Sequence, residues 1–332
     1  MLHGLYEVGA AYISSLQNGL KPLENILLKI SSASDPAAVV STVFPLVVAF
    51  DPQLSAEVLI VSTTAEWLNT LLKWLFMEHR PYWWVREQQS HIMLQQTHMT
   101  CETGPGSPSG HVMGTTAVLY IFLCWFINTV LLPSTGKSAV RKMLLIILSL
   151  TAFMGTVALV AVSRMYIAAH FPHQCILGFI CGVAVSWLVK KLNWWRTAGR
   201  LKLTIAAACL MAVSVVSYWL QKIAGVDPQW SVYLALKWCF QEENVNITTT
   251  PLFSLVRVAG TTFGVALSAP VFRLRKSQRP VKAFLASYVA ALLIAGASET
   301  VTTSNVFIFY PLQFLLFTLQ PWLLFKIIPE VM

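Results

Sequence analysis

Three short blocks carry residues suited to handling a phosphoryl group: Lys73-Trp-Leu-Phe-Met-Glu-His-Arg80-Pro81, Pro108-Ser109-Gly110-His111 and Ser163-Arg164-Met-Tyr-Ile-Ala-Ala-His170. Together they supply three cations, a turn of small residues and two histidines, the set that a metal-free phosphoryl-transfer site needs. A guanidinium such as Arg80 or Arg164 can grip two phosphate oxygens at once. Ser109 and Gly110 open an apolar run, so the free amides of a helix N-terminus would point at an anion there, and small residues let the backbone approach it. His111 arrives at that same helix start. His170 precedes Phe171-Pro172, and a proline early in a helix is well placed. Near a helix N-terminus the positive end of the dipole disfavours imidazolium, which would keep His170 neutral and nucleophilic.

Taken singly, each of these residues has a plainer reading. Lys73 shares a helix face with Glu66 and Asn69 and would snorkel to a membrane surface. A loop rich in Gly and Pro is usually only a loop, and a histidine at a membrane boundary is usually structural. His79 and His173, beside the blocks, are read in that way. Arg164 and His170 are six residues apart, which is not a same-face helical spacing, so a turn must bring them together. The argument for chemistry rests on all three blocks reaching one side of a membrane.

The elements that must position them are membrane helices. Of 332 residues, 56% are hydrophobic and only 11% charged, and the mean hydropathy is +0.64, too apolar to coat an ordinary soluble domain. Apolar runs near 36–50, 54–77, 112–132, 142–163, 171–189, 203–222, 252–271, 282–298 and 304–328 predict an all-α polytopic bundle of about nine spans, read as one domain over 1–332. The net charge of +9 does not indicate nucleic acid, because the basic residues cluster in short loops. Lys137, Arg141 and Lys142, then Lys190, Lys191, Arg196, Arg200 and Lys202, then Arg273, Arg275, Lys276, Arg279 and Lys282 fall on one side of a nine-span chain, the cytosolic side by the positive-inside rule. The N-terminus and the loops 78–111, 164–170, 223–251 and 299–303 then face the lumen or exterior, and the C-terminus faces the cytosol.

The sequon Asn246-Ile247-Thr248 falls in a non-cytosolic loop, where Asn246 is a candidate for glycosylation. Cys101 and Cys239 also lie in such loops; a disulfide between them is chemically permitted, and two free thiols remain open as the alternative. The six cysteines show no metal-ligand spacing, so no metal or cofactor is expected. The N-terminus lacks the pattern of a cleaved signal peptide. Arg257, at a span start, reads either as a contributor to the site's electrostatics or as an interfacial arginine. Tyr82, Trp83 and Trp84 read as a membrane-interface belt rather than as a sugar platform.

The order Lys-x6-Arg-Pro, Pro-Ser-Gly-His, Ser-Arg-x5-His resembles the signature of the type 2 phosphatidic acid phosphatase superfamily. The strings Arg80-Pro-Tyr-Trp-Trp-Val85, Cys101-Glu-Thr-Gly-Pro-Gly-Ser-Pro-Ser-Gly-His111 and Ala168-Ala-His-Phe-Pro-His-Gln174 are more narrowly similar to the glucose-6-phosphatase catalytic subunits. Trp238-Cys239 and Thr249-Thr-Pro-Leu-Phe-Ser254 extend the likeness toward the C-terminus, and Leu16-Gln-Asn with Leu23-Glu-Asn resembles the ubiquitous beta-type branch. The resemblance implies a nine-span endoplasmic reticulum enzyme with a lumenal site and a type 2 phosphatidic acid phosphatase-like core. It implies His170 as the nucleophile forming a phosphohistidine, His111 as the proton donor, and Lys73, Arg80, Ser109, Gly110 and Arg164 as the phosphate ligands. It implies a hexose 6-phosphate such as glucose 6-phosphate as substrate, supplied by a separate glucose-6-phosphate translocase. The superfamily usually has Asp four residues after the nucleophile, where this chain has Gln174, which can accept a bond from the ring but brings no charge. Two rivals stand beside this reading: a lipid phosphate phosphatase of the same superfamily, and a non-catalytic membrane protein that retains an anion site.

Overall fold

The protein is described here by a computed structural model, which covers residues 2–133, 138–245, 249–301 and 305–331. The sequon at Asn246 and the loop residue Lys137 lie outside the described residues. Among those described the chain is helical, without β-strands. In order the helices are α1 Leu2–Gly19, α2 Glu24–Ala33, α3 Pro36–Ala38, α4 Phe44–Phe50, α5 Pro52–Phe76, α6 Pro81–Glu87, α7 Gly110–Trp125, α8 Ala139–Tyr166, α9 Pro172–Leu192, α10 Arg200–Ile223, α11 Trp230–Trp238, α12 Pro251–Leu267, α13 Pro280–Thr300, α14 Val306–Trp322 and α15 Ile328–Val331.

Local sequence explains many of the starts. Prolines sit at the first position of α5, α6, α9, α12 and α13, where the missing amide N–H would have had no intrahelical partner. The Ser138 hydroxyl caps α8 by accepting from the Arg141 amide at 3.3 Å, and Asn305 Oδ1 caps α14 by accepting from the Phe307 amide at 2.9 Å; such caps satisfy an otherwise orphaned donor. Among the described residues, six helices are long and apolar enough to cross a membrane: Gly110–Leu131, Ala139–Tyr166, Pro172–Leu192, Arg200–Ile223, Pro280–Thr300 and Val306–Val331. Val39–Phe50 and Pro251–Leu267 are shorter apolar helices. On α8 the large apolar side chains Met143, Leu144, Ile147, Leu148, Met154 and Leu159 are exposed, the pattern of a helix whose outer face meets lipid rather than water. This is a membrane protein.

The chain divides into two compact units, residues 1–35, 71–186 and 227–250 in the first and 36–70, 187–226 and 251–332 in the second. The first has a core of Tyr6, Tyr82, Trp83, Trp84, Phe153 and Phe171 with smaller apolar neighbours. Trp83 packs edge-on against Tyr82 with ring centroids 5.0 Å apart, and Tyr6 packs on Phe171 at 4.8 Å. The expected aromatic belt is therefore absent at Tyr82, Trp83 and Trp84: all three are buried inside the protein, because α6 is a short helix that turns its rings into the core. Two close approaches lock α9 against α7. A Cβ on Gly178 would lie 2.7 Å from the Ser109 carbonyl oxygen and one on Gly182 would lie 2.7 Å from that of Met113, so this small-x3-small pair lets the backbones touch.

In the second unit Glu57 is clamped between Lys190 at 2.7 Å and Arg196 at 2.6 Å. Trp67 donates its ring N–H toward the Leu210 carbonyl and the Ser214 hydroxyl, both at 3.1 Å. Arg257 donates Nε to Glu66 Oε1 at 2.9 Å, so its charge is met by a carboxylate partner within its own unit.

Candidate active site

Every residue of the three blocks belongs to the first unit. Arg80 is the N-cap of α6, its backbone extended at φ −96° and ψ 155°, as the proline that follows it requires. That geometry sends a fully buried side chain inward. Its Nε donates to the Gly104 carbonyl at 2.6 Å and Nη1 to the Ala169 carbonyl at 3.1 Å. Nη1 also lies 3.3 Å from His170 Nε2 and 2.8 Å from Glu102 Oε2.

The turn required between Arg164 and His170 is present. Helix α8 ends at Tyr166, and Ala168 takes a left-handed conformation at φ 54°, unusual for a residue with a Cβ. The Ala169 amide then donates back to the Arg164 carbonyl at 3.1 Å. This reversal puts the His170 ring beside Arg80 and leaves Arg164 pointing into the same space. Arg164 Nη1 donates to the Ser31 hydroxyl at 2.7 Å, and Nη2 is bonded to Glu102 Oε1. Its Nε is buried with no hydrogen-bond partner.

Ser109 caps α7 with its amide donating to the Gln174 carbonyl at 3.0 Å. Its hydroxyl is buried, and the amides of Gly110 and His111 are in the first turn, where no intrahelical acceptor exists. Lys73 is buried near the end of α5; a Cβ on Gly104 would lie 3.5 Å from its Nζ, so the ammonium reaches the loop that receives Arg80. The three blocks thus meet, and Lys73, Arg80, Ser109, Gly110, His111, Arg164 and His170 all lie about one loop, 101–111.

Three residues of that meeting were not singled out by their types or spacing. Glu102 places its carboxylate among the cations: besides the two arginines, His111 Nδ1 is 3.7 Å and His170 Nε2 3.9 Å away. Burial would raise the Glu102 carboxyl, but Arg164 and then Arg80 outweigh it and hold the group well below the usual carboxylate range. A lone acid within a Gly/Pro loop was the only trace of it in the sequence. Gly106 offers its carbonyl to His170 Nδ1 at 2.7 Å. Ser31, in α2, has no local pattern at all.

Among the described residues Gln174 makes no hydrogen bond to the His170 ring. Its Oε1 accepts from the Phe171 amide at 3.1 Å, and its Nε2 donates to Glu78 Oε2 at 3.0 Å and to the His79 carbonyl at 2.8 Å. His173 Nε2 pairs with the same Glu78 oxygen at 2.8 Å, and His79 Nδ1 accepts from the Trp83 ring N–H at 3.1 Å. These neighbours hold the start of α9 in place. The ring is instead held by the backbone carbonyl of Gly106, which accepts a hydrogen bond from Nδ1–H and leaves Nε2 with its lone pair facing the cations. Burial first, then Arg80 and Arg164, push the His170 ring well below the usual histidine range, so it is neutral near pH 7.

The loop itself is fastened on both sides of Glu102. Cys101 forms a disulfide with Cys239, Cα atoms 5.7 Å apart, which resolves the alternative left open by the sequence. The Tyr82 hydroxyl donates to the Glu102 carbonyl at 3.0 Å, and the Thr103 amide donates to Thr249 Oγ1 at 3.0 Å. A neutral histidine, a second histidine, buried guanidinium groups and a helix N-terminus around one carboxylate are the groups with which a site can bind a phosphoryl group, attack it and protonate what leaves.

A family model described as "PAP2 superfamily" matches residues 55–198. The chain is 34% identical over 330 residues to "Glucose-6-phosphatase 3" of Homo sapiens, covering 97% of this chain and 93% of that protein. It is 33% identical over 346 residues to "Glucose-6-phosphatase catalytic subunit 1" of Haplochromis nubilus, covering 98% and 97%. To "Glucose-6-phosphatase 2" of Homo sapiens it is 34% identical over 277 residues, covering 81% and 78%. No solved structure matches the chain. With all three motif blocks gathered about the buried Glu102 carboxylate and relatives matched along nearly its full length, the chain belongs to the glucose-6-phosphatase family.

Proposed function

We propose that this protein hydrolyses glucose 6-phosphate, or a closely related hexose 6-phosphate, to the free sugar and inorganic phosphate. The observation that carries the reading is the convergence of His111, His170, Arg80 and Arg164, from three separate blocks, on a single carboxylate. In the first step His170 Nε2 attacks phosphorus, the bond from phosphorus to the sugar oxygen breaks, and His111 gives that oxygen its proton. In the second, His111 takes a proton from water, the water oxygen bonds to phosphorus, and the phosphorus–nitrogen bond breaks to return neutral His170. Lys73, Arg80 and Arg164, with the Ser109 hydroxyl and Gly110 amide, balance the roughly two negative charges of the monoester and those that develop on its oxygens. The three cations supply this without a metal.

The whole chain acts as one nine-span phosphatase of the endoplasmic reticulum membrane, with the N-terminus and active site lumenal and the C-terminus cytosolic. The family match at 55–198 runs through segments of both compact units, and α5 and α9 each contribute to both, which supports one working domain. The basic loops support the orientation, and a disulfide at Cys101 suits an oxidising lumen. A lumenal site requires its cytosolic substrate to cross the membrane, hence coupling to a glucose-6-phosphate translocase. Asn246 is a glycosylation site in the lumenal loop.

One observation favours a second reading, a lipid phosphate substrate: an apolar cavity of about 550 Å³ is lined by Leu5, Tyr12, Val112, Met154, Met165 and Phe179, and Val112 and Met165 directly follow His111 and Arg164. Phosphate release from glucose 6-phosphate and from phosphatidic acid by detergent-purified protein, beside a His170→Ala control, separates them. Release from the sugar phosphate alone, lost in the control, is the expected outcome. Release from the lipid alone would move the protein to the second class, and binding without turnover would make it a non-catalytic anion site.

A further inference from the structure

The Glu102 carboxylate lies where the reaction needs phosphorus. In the proposed hydrolysis, His170 must stand on one side of the phosphoryl group and His111 on the side of the leaving oxygen, each near 3 Å from the atom it serves. Glu102 spans that gap: Oε1 faces Arg164 and His111, at 3.7 Å from the ring, and Oε2 faces Arg80, at 2.8 Å, and His170, at 3.9 Å. Each carboxylate oxygen is thus held by one arginine and approached by one catalytic histidine, as two oxygens of a bound phosphoryl group would be. A phosphoryl group and this carboxylate cannot share the cage, both for space and because like charges at contact distance in a buried site repel.

We propose that Glu102 is a positioning residue and built-in competitor: its carboxylate occupies the phosphoryl subsite of the resting enzyme, holds both arginines in place, and is exchanged for the phosphate of the substrate. This rests on the functional reading above and adds to it a residue that sets phosphate affinity. In the resting state the two guanidinium groups are buried with a counter-charge, which avoids the penalty of unpaired buried cations. The exchange takes place by rotation of the side chain alone. The disulfide at Cys101, the Tyr82 hydroxyl on the Glu102 carbonyl and the Thr249 contact to Thr103 fix the backbone on both sides, so the loop does not have to open.

The test reads inorganic phosphate, not turnover, so that it stands apart from the identity of the substrate. Full-length protein is purified in detergent as wild type, Glu102→Gln and Glu102→Asp, and phosphate affinity is measured by thermal stabilisation. Removing the competing charge in Glu102→Gln is expected to tighten phosphate binding by about tenfold or more, while Glu102→Asp keeps the charge and stays within a few-fold of wild type. Where sugar phosphate turnover is detected, KM falls in the Gln variant in parallel. Phosphate affinity that is unchanged or weaker in Glu102→Gln overturns the proposal, since Glu102 would then remain beside the bound phosphate as a supporting group. Because the Gln variant leaves two buried arginines without their counter-charge and can fail to fold, a second measurement uses wild type alone. Carbodiimide labelling of Glu102, mapped by peptide mass, is expected to increase when phosphate is added. Labelling that phosphate suppresses or leaves unchanged overturns the exchange. Loss of glucose 6-phosphate hydrolysis with these phosphate results intact would instead count against the substrate assignment.

Discussion

His170 Nδ1 lies 2.7 Å from the carbonyl oxygen of Gly106. A carbonyl can only accept a hydrogen bond, so this contact puts the ring proton on Nδ1 and leaves Nε2 with a free lone pair, the nitrogen that the proposed mechanism uses for attack. It takes the place of the carboxylate that orients the base in many triads, and as a neutral group it adds no charge of its own beside the ring. The contact depends on Gly106 having no side chain: a Cβ there would lie 2.6 Å from Gln174 Nε2 and 2.8 Å from its Oε1, and would also strike the His79 carbonyl.

Gly106→Ala should therefore displace the carbonyl that orients His170. A loss of kcat of about a hundredfold is expected, the scale of a small misplacement of a reacting group, with KM for the phosphate ester changing much less because Arg80 and Arg164 remain. Steady-state kinetics on the purified variant check the split; an unchanged kcat would show that the carbonyl is not the orienting group.

Gln174→Ala should act mainly on stability. The change leaves the Phe171 amide without its acceptor and removes the bonds to Glu78 and the His79 carbonyl, and a buried orphaned polar group costs about 1–3 kcal/mol. Denaturation midpoints should fall accordingly while kcat stays within about tenfold of wild type, since the hydrogen bonds of the residue go to Phe171, Glu78 and His79 rather than to the His170 ring. A kcat collapse at normal stability would give Gln174 a direct part in the chemistry.

His170 makes stability depend on pH in a definite sense. Its folded pKa is depressed below about 6.5, the unfolded value, by burial and by Arg80 and Arg164. As pH falls through about 6.5 the unfolded chain takes up a proton that the folded chain refuses, so the stability present above that pH is lost, at up to about 1.4 kcal/mol per pH unit until the folded pKa is reached. Chemical denaturation between about pH 7.5 and 5 should show a shallower decline for His170→Gln than for wild type. Parallel declines would mean that the ring is protonated in the folded enzyme.

Cys239→Ser opens the bond that fastens the loop next to Glu102. The crosslink spans a sequence separation of 138 residues, and loss of a native disulfide typically removes about 2–4 kcal/mol. The variant should unfold at lower denaturant, and a reductant should shift wild type toward it while leaving Cys239→Ser unmoved. Equal midpoints with and without reductant in wild type would show that the bond does not contribute.

The apolar runs determined by themselves that the chain is a helical membrane protein, because about twenty consecutive apolar residues have no other stable solution. The spacing within three blocks determined which cations and histidines to bring together, and their order carried the family. None of that required knowing the path of the chain. What only the tertiary structure decided are contacts made by short polar residues and by the backbone across long sequence distances. Ser31 meets Arg164 from α2, the Gly106 carbonyl meets His170, and Glu102 meets four partners from three segments. A carbonyl has the same identity at every position and a lone serine or glutamate in a loop has no periodicity to read, so their roles come into being only when the chain closes around them. The aromatic residues beside Arg80 show the same limit: composition places Tyr82, Trp83 and Trp84 at a membrane interface, whereas the turn of α6 buries them under the site.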